Sequence, residues 1–149
     1  MSQHIATIQA IYAAFAKGDV PSILAHLAED VQWEWGWAQD SGIPWYKPGK
    51  GRKHVEGFFG ALRQVEIKKF QPLALLGDNQ WVAVPIDLEA KVVATGRTVK
   101  EVEMHLWGFN EAGKVNKFRH YVDSLAHFKA FKGHRSEEHT SELQSLTNL

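Results

Sequence analysis

The hydrophobic pattern of the chain predicts an α+β domain, with helices first and an antiparallel strand meander after them. Three observations carry this reading. Ile5, Ile8, Ile11, Tyr12 and Phe15 recur at helical spacing near the start. "VQWEWGWA" then switches to strict alternation, with Trp33, Trp35 and Trp37 on one face. From Val65 onward, long strand-like runs are separated by the turn clusters "GDNQ", "ATGR" and "NEAGKV". Helices covering one face of a curved sheet satisfy all three.

In the first helix "KGD" supplies the stop, with Gly18 where a left-handed cap is wanted. Asp19 is a natural cap for a second helix with Pro21 in its first turn and Ile23, Leu24 and Leu27 facing inward. "DSGIPWYKPGKG" is a Gly- and Pro-rich loop, a lid or rim that carries Trp45 and Tyr46. Val55, Phe58, Phe59 and Leu62 give a third helix. Four strands follow, near Val65 to Leu76, Trp81 to Val93, Thr98 to Asn110 and Val115 to Ser124. "SLAHFKAF" closes the domain as a short helix that Asp123 is placed to cap.

Residues 1–134 are expected to form one domain. The tail, residues 135–149, abandons the aromatic-rich composition and is read as non-native or disordered. Its opening "RSEEHTSELQS" resembles the translation of a sequencing-library adapter, which implies a metagenomic, short-read origin for the gene. Seventeen basic residues balance seventeen acidic ones, so no overall field draws the protein to nucleic acid or an anionic membrane. A small-molecule ligand fits better. Cysteine is absent, which excludes thiolate chemistry and Cys-type zinc sites. No basic, apolar leader opens the chain and no stretch approaches the roughly 20 apolar residues of a membrane span, so a cytoplasmic location is expected.

The order "IYAAFAKGDVPSILAHLAEDVQW", "GKGRKHVEGFFGAL" and "ATGRTVKEVEMHLWGFNEAGKVNKFRHYVD" resembles the NTF2-like superfamily, and within it the SnoaL-like, ketosteroid-isomerase-related proteins. The resemblance implies a cone, with N-terminal helices packed on a strongly curved antiparallel sheet that encloses a deep apolar pocket, and a homodimer. It is less specific for activity, because this fold hosts isomerases, cyclases, epoxide hydrolases and non-catalytic binders. Three departures matter. Where the steroid isomerases carry a base Asp after a Glu, "WEWG" has Trp35, and their catalytic Tyr aligns with Ile11, one position from Tyr12. "VPIDLEAKV" lacks the Arg that the epoxide hydrolases need.

Pairing the last hairpin across Glu111 to Gly113 sets Asn110 opposite Lys114, His105 opposite Arg119 and Glu103 opposite Tyr121. One face then holds Glu101, Glu103, His105, Trp107, Arg119, Tyr121 and Asp123, and the resemblance turns that face into the cone. Asp123 matches the last-strand acid of polyketide cyclases, and His105 stands where the isomerases carry a pocket acid. Asp123 is accordingly the expected acid or base, His105 the oxyanion partner and Tyr121 a positioning phenol, with Trp33, Trp35, Trp45, Trp107 and Arg119 binding the ligand. Each has a structural alternative: helix cap for Asp123, core histidine for His105, an ion pair with Glu103 for Arg119, core packing for the tryptophans. No helical His pair flanks a Glu, and no glycine loop cradles phosphate, so neither metal nor cofactor is expected. The function implied is cofactor-free proton transfer on a small, cyclic, apolar carbonyl compound; a non-catalytic binding homodimer is the alternative.

Overall fold

The computed structural model describes residues 2–36 and 42–132. Trp37, His134 and the tail fall outside the described residues. Helix α1, Ser2–Ala16, ends at Gly18, whose φ of 70° is open to glycine at little cost. Helix α2, Val20–Ala25, starts on the Asp19 cap, whose carboxylate accepts from Ser22 N at 3.2 Å. Strand β1, Leu27–Trp35, buries Val31, Trp33 and Trp35 by alternation. The short β2, Gly49–Lys50, leads into α3, Arg52–Ala61.

Strands β3, Val65–Pro72, and β4, Leu76–Gly77, divide what the sequence pattern joins into one run. Strand β5, Trp81–Val92, alternates along its whole length, with Val82, Val84, Ile86, Leu88, Ala90 and Val92 buried. Strands β6, Thr98–Phe109, and β7, Val115–Tyr121, complete the sheet, and α4, Ser124–Phe131, packs on β5 and β6. The order is β2-β1-β7-β6-β5-β3, with β4 paired to β5. The meander from β3 to β7 is antiparallel, as its turn signals require, whereas β1 lies parallel to β7. The sheet is therefore mixed. The long connection from β1 to β7 supplies the reach that a parallel pair needs.

Three register irregularities, in β1, β3 and the β6/β7 pair, bend the strongly curved sheet around the core. The last one decides the chemistry. Asn110 N donates to Lys114 O at 2.9 Å, so the hairpin closes with the expected pairing. Phe109 then pairs with Val115 but Gly108 pairs with Lys117, leaving Asn116 as an extra residue. Every later residue of β7 is displaced by one, which turns it to the opposite face. His105 consequently faces His120, not Arg119, and Met104 faces Tyr121. Among the described residues no helix is long and apolar enough to cross a membrane.

Candidate functional site

Glu103 and His105 stand two apart on β6, so the pleat points both to the concave face, and the bulge brings His120 of β7 beside them. All three are buried. His105 Nε2 lies 3.1 Å from Glu103 Oε1, and His120 Nε2 lies 2.8 Å from Glu103 Oε2. The two Nε2 atoms are themselves 3.1 Å apart. Helix α1 contributes Tyr12, whose hydroxyl is 2.8 Å from His105 Nδ1 and accepts from Trp107 Nε1 at 3.0 Å. This network assigns the tautomer: with His105 donating from Nε2 to the carboxylate, Nδ1 accepts from Tyr12.

A second chain of contacts runs beside the first. The Tyr46 hydroxyl lies 2.8 Å from His127 Nδ1, and His127 Nε2 meets Glu101 Oε2. Glu101 Oε1 accepts from the backbone N–H of Asp123 at 2.7 Å, tying β6 to the start of α4.

Burial pushes Glu103 toward its neutral form, but the charge on His120 and the hydrogen bonds from both imidazoles outweigh it and hold the carboxyl well below the usual range. Burial, with the neighbouring His120 adding to it, lowers His105 to about 4, so its ring is neutral at pH 7. Burial also raises Tyr12 and Tyr46 above the usual phenol range, with Glu103 adding to both, and they remain neutral donors.

These groups form the polar end of a cavity of about 80 Å³ whose other walls are aromatic and aliphatic, with Trp33, Trp45, Trp107 and Phe118 prominent. A neighbouring depression between the helices and β3 shares Tyr12, Phe15, Phe59 and Phe70 with the cavity. Two buried polar atoms on lining side chains have no hydrogen-bond partner among the described residues: Trp33 Nε1 and His120 Nδ1. Buried polar atoms are seldom left so.

The model of the SnoaL-like domain family matches residues 8–118. This chain belongs to the SnoaL-like family. No curated protein matches the SnoaL-like chain. Solved structures do. An NTF2-like protein from Burkholderia xenovorans LB400 is 23% identical over 87% of this chain and 96% of its own, with a TM-score of 0.77. TerC, co-crystallized with polyporic acid, is 20% identical over 88% and 99%, with a TM-score of 0.73. A putative polyketide cyclase from Xanthomonas campestris pv. campestris is 18% identical over 82% and 91%, with a TM-score of 0.64. At these identities the likeness is one of fold.

The SnoaL-like cone distributes the sequence-predicted residues unevenly. His105, Trp33, Trp45 and Trp107 line the cavity. Trp45 is buried, not a rim residue, because its ring packs edge-on against Phe131 of α4 at 5.5 Å. Trp35 stands behind the wall, its ring stacked on His120 at 4.6 Å and tilted against Tyr46 at 4.2 Å. Arg119, Tyr121 and Asp123 do not reach the cavity, and the displaced register is the reason for the first two. Arg119 pairs on the outer face with Glu34 and the Tyr121 hydroxyl, both at 3.3 Å, and not with Glu103. The Tyr121 ring lies over Gly36, where a Cβ would meet it at 2.8 Å. Asp123 is exposed and caps α4, accepting from Ala126 N at 3.0 Å.

Sequence reasoning did not give His120, Tyr12, Tyr46 or His127 a place in the site. His120 was out of reach because nothing in "GKVNKFRH" announces the extra residue. Tyr12 carried a signal, since it sits one position from the aligned phenol of the steroid isomerases.

Proposed function

We propose that the cavity binds a small, cyclic, apolar carbonyl compound and that His120 moves a proton on it. The observation that carries this reading is a pair of buried, unpartnered atoms on residues that line the cavity, Trp33 Nε1 and His120 Nδ1. With Nε2–H held by Glu103 at 2.8 Å, His120 presents the Nδ1 lone pair as a base. Glu103 orients the ring and stabilises the imidazolium that forms, the part a buried carboxylate plays beside a catalytic imidazole. The proton leaves the carbon next to the carbonyl, and the electron pair shifts to oxygen as an enolate. The Trp33 indole N–H donates to that oxygen, and His120 returns the proton to the same or a conjugated carbon. Aromatic walls take up the ring of the ligand. TerC, with polyporic acid in its crystal, supports a small organic ligand for this fold.

The test is deuterium incorporation by NMR into a panel of cyclic ketones. Exchange above the buffer rate, reduced at least 100-fold in His120→Gln, is expected. A panel that quenches tryptophan fluorescence but never exchanges returns the protein to the binding reading. That second reading has its own support, since every oxygen of Glu103 and the Nε2 of both imidazoles already have partners inside the protein.

We infer further that the chain forms a homodimer through the outer face of β6 and β7. Val102, Met104 and Tyr121 are 64%, 36% and 39% exposed there, with Met104 opposite Tyr121, and exposed apolar side chains grouped on one strand face are what a partner covers. Native mass spectrometry of wild type against Val102→Glu tests it; a wild-type monomer at micromolar concentration rejects it.

A further inference from the structure

The atoms that hold Glu103, His105 and His120 together do not satisfy one another. With Glu103 ionised, filling both imidazole–carboxylate bonds places an N–H on each Nε2, and the two donors then face each other at 3.1 Å. Moving either proton to relieve that contact leaves one of the carboxylate contacts without a proton of its own. The three side chains converge on a common point that hydrogen bonding serves poorly.

We propose that this point is a binding site for a first-row divalent transition-metal ion of the zinc type, held by Glu103, His105 Nε2 and His120 Nε2. One ligand atom from each residue lies within 4.8 Å of the others, and the contacts of 2.8–3.1 Å are tighter than tetrahedral ligands stand around zinc, about 3.4 Å apart for bonds of about 2.1 Å, so that small shifts of the three side chains would seat the ion. Three protein ligands leave one position open, and all three side chains line the cavity. Two imidazoles with one carboxylate select zinc-like ions over magnesium and calcium, which take oxygen ligands.

The surroundings suit a cation as well. His105 Nδ1 meets the Tyr12 hydroxyl, itself anchored by Trp107, which is the outer contact that fixes a metal-binding imidazole. Glu101 and His127 adjoin Glu103 in a second group of the same tightness, so two carboxylates share one buried cluster. A divalent ion would meet two carboxylates there, where burial makes an unbalanced charge costly. A metal-site search built on helical His spacing overlooks this set, because its signature is Glu-x-His on a strand plus a cross-strand partner displaced by a bulge.

This inference uses the same cavity as the proposed function but does not need proton transfer. It predicts competition between the two, since metal on His120 Nε2 moves the ring proton to Nδ1 and removes the base.

Isothermal titration of zinc chloride into the chelator-treated full chain tests it. One equivalent at submicromolar Kd is expected, lost at least 100-fold in His105→Ala and in the nearly isosteric Glu103→Gln, with magnesium chloride giving no heat. Cobalt(II) bound to the wild type gives the intense visible absorption of a four-coordinate ion. Near-UV circular dichroism establishes that each variant is folded; if His105→Ala is not, Glu103→Gln decides. No zinc binding, binding unchanged in the folded variants, or binding abolished by His127→Ala alone overturns the site. Zinc binding without ketone exchange defeats only the proposed function, and exchange without zinc binding defeats only this inference.

Discussion

His105 and His120 face each other across β6 and β7 with their Nε2 atoms 3.1 Å apart, and they do so because Asn116 is an extra residue in β7. One unpaired residue thus decides which of two side-chain sets enters the cavity.

Deleting Asn116 tests that relationship. The deletion restores the regular register, turning Phe118 and His120 outward and Arg119 and Tyr121 inward. A buried, unpartnered guanidinium and a lost aromatic from the core together cost on the order of 4 kcal/mol or more, enough to unfold a domain of ordinary stability. A cooperative thermal transition at the wild-type temperature after the deletion would count against the bulge as the organising feature.

That same residue marks where the sequence stops being legible. Helix caps at Gly18 and Asp19, the alternation of β5 and the turn at Gly113 are local signals, each readable because a single residue's conformational preference fixes it. The cone is what the resemblance to NTF2-like proteins implies, carried by several motifs in the right order. A bulge has no comparable mark in the sequence, since it is settled by competition between packing arrangements on both faces of the sheet. His105 and three tryptophans were therefore read into the cavity by pattern, while Arg119 and Tyr121 were read onto the wrong face by one position. Asp123 was open between acid and cap, and only the position of α4 places it as the cap.

Asp123→Ala should act on stability and leave ligand binding unchanged. Loss of the cap bond to Ala126 N costs about 1 kcal/mol, and Asp123→Ser recovers most of it. Urea unfolding of the three proteins, with ligand affinity measured beside it, separates a cap from a pocket acid. A loss of affinity greater than tenfold at unchanged stability would restore Asp123 to the chemistry.

Tyr12→Phe removes one hydroxyl that serves two partners. His105 Nδ1 loses its donor and Trp107 Nε1 its acceptor, both buried, so a penalty of about 1–3 kcal/mol is expected from each group left unsatisfied. Denaturant midpoints measure it. A variant within about 0.5 kcal/mol of wild type, the range of surface substitutions, would show that the phenol does not hold His105 in place.

Acid should destabilise the metal-free protein through His105 and then Glu103. His105 is lowered from 6.5 to about 4, so between those values the unfolded chain binds a proton that the folded chain does not. Stability therefore rises with pH across that window and falls as pH drops through it, by up to about 1.4 kcal/mol per pH unit for one proton. Glu103, also held low, adds the same sign below the usual carboxylate range, because the unfolded carboxylate protonates first. Thermal midpoints from pH 7 to pH 4 should fall steadily, and His105→Gln should flatten the upper part of the slope. A wild-type midpoint independent of pH across that window would refute the buried neutral imidazole.

Trp33→Phe isolates the donor from the wall. The substitution deletes the unpartnered Nε1–H and part of the ring, so it both enlarges the cavity and removes the proposed hydrogen bond to the ligand oxygen. Affinity for a single ketone cannot separate these effects, whereas a matched pair of ligands can. A cyclic ketone and the hydrocarbon of the same ring size meet the same enlarged wall, and only the ketone loses the indole donor. A hydrogen bond worth about 1 kcal/mol net makes the wild type prefer the ketone several-fold after correction for solvation of the carbonyl. Trp33→Phe should erase that preference while shifting both affinities in parallel through the larger cavity. Fluorescence titration of both ligands against both proteins forms a double cycle whose coupling term is the hydrogen bond itself. A coupling near zero would leave Trp33 as wall alone and would take the oxyanion donor out of the proposed reaction.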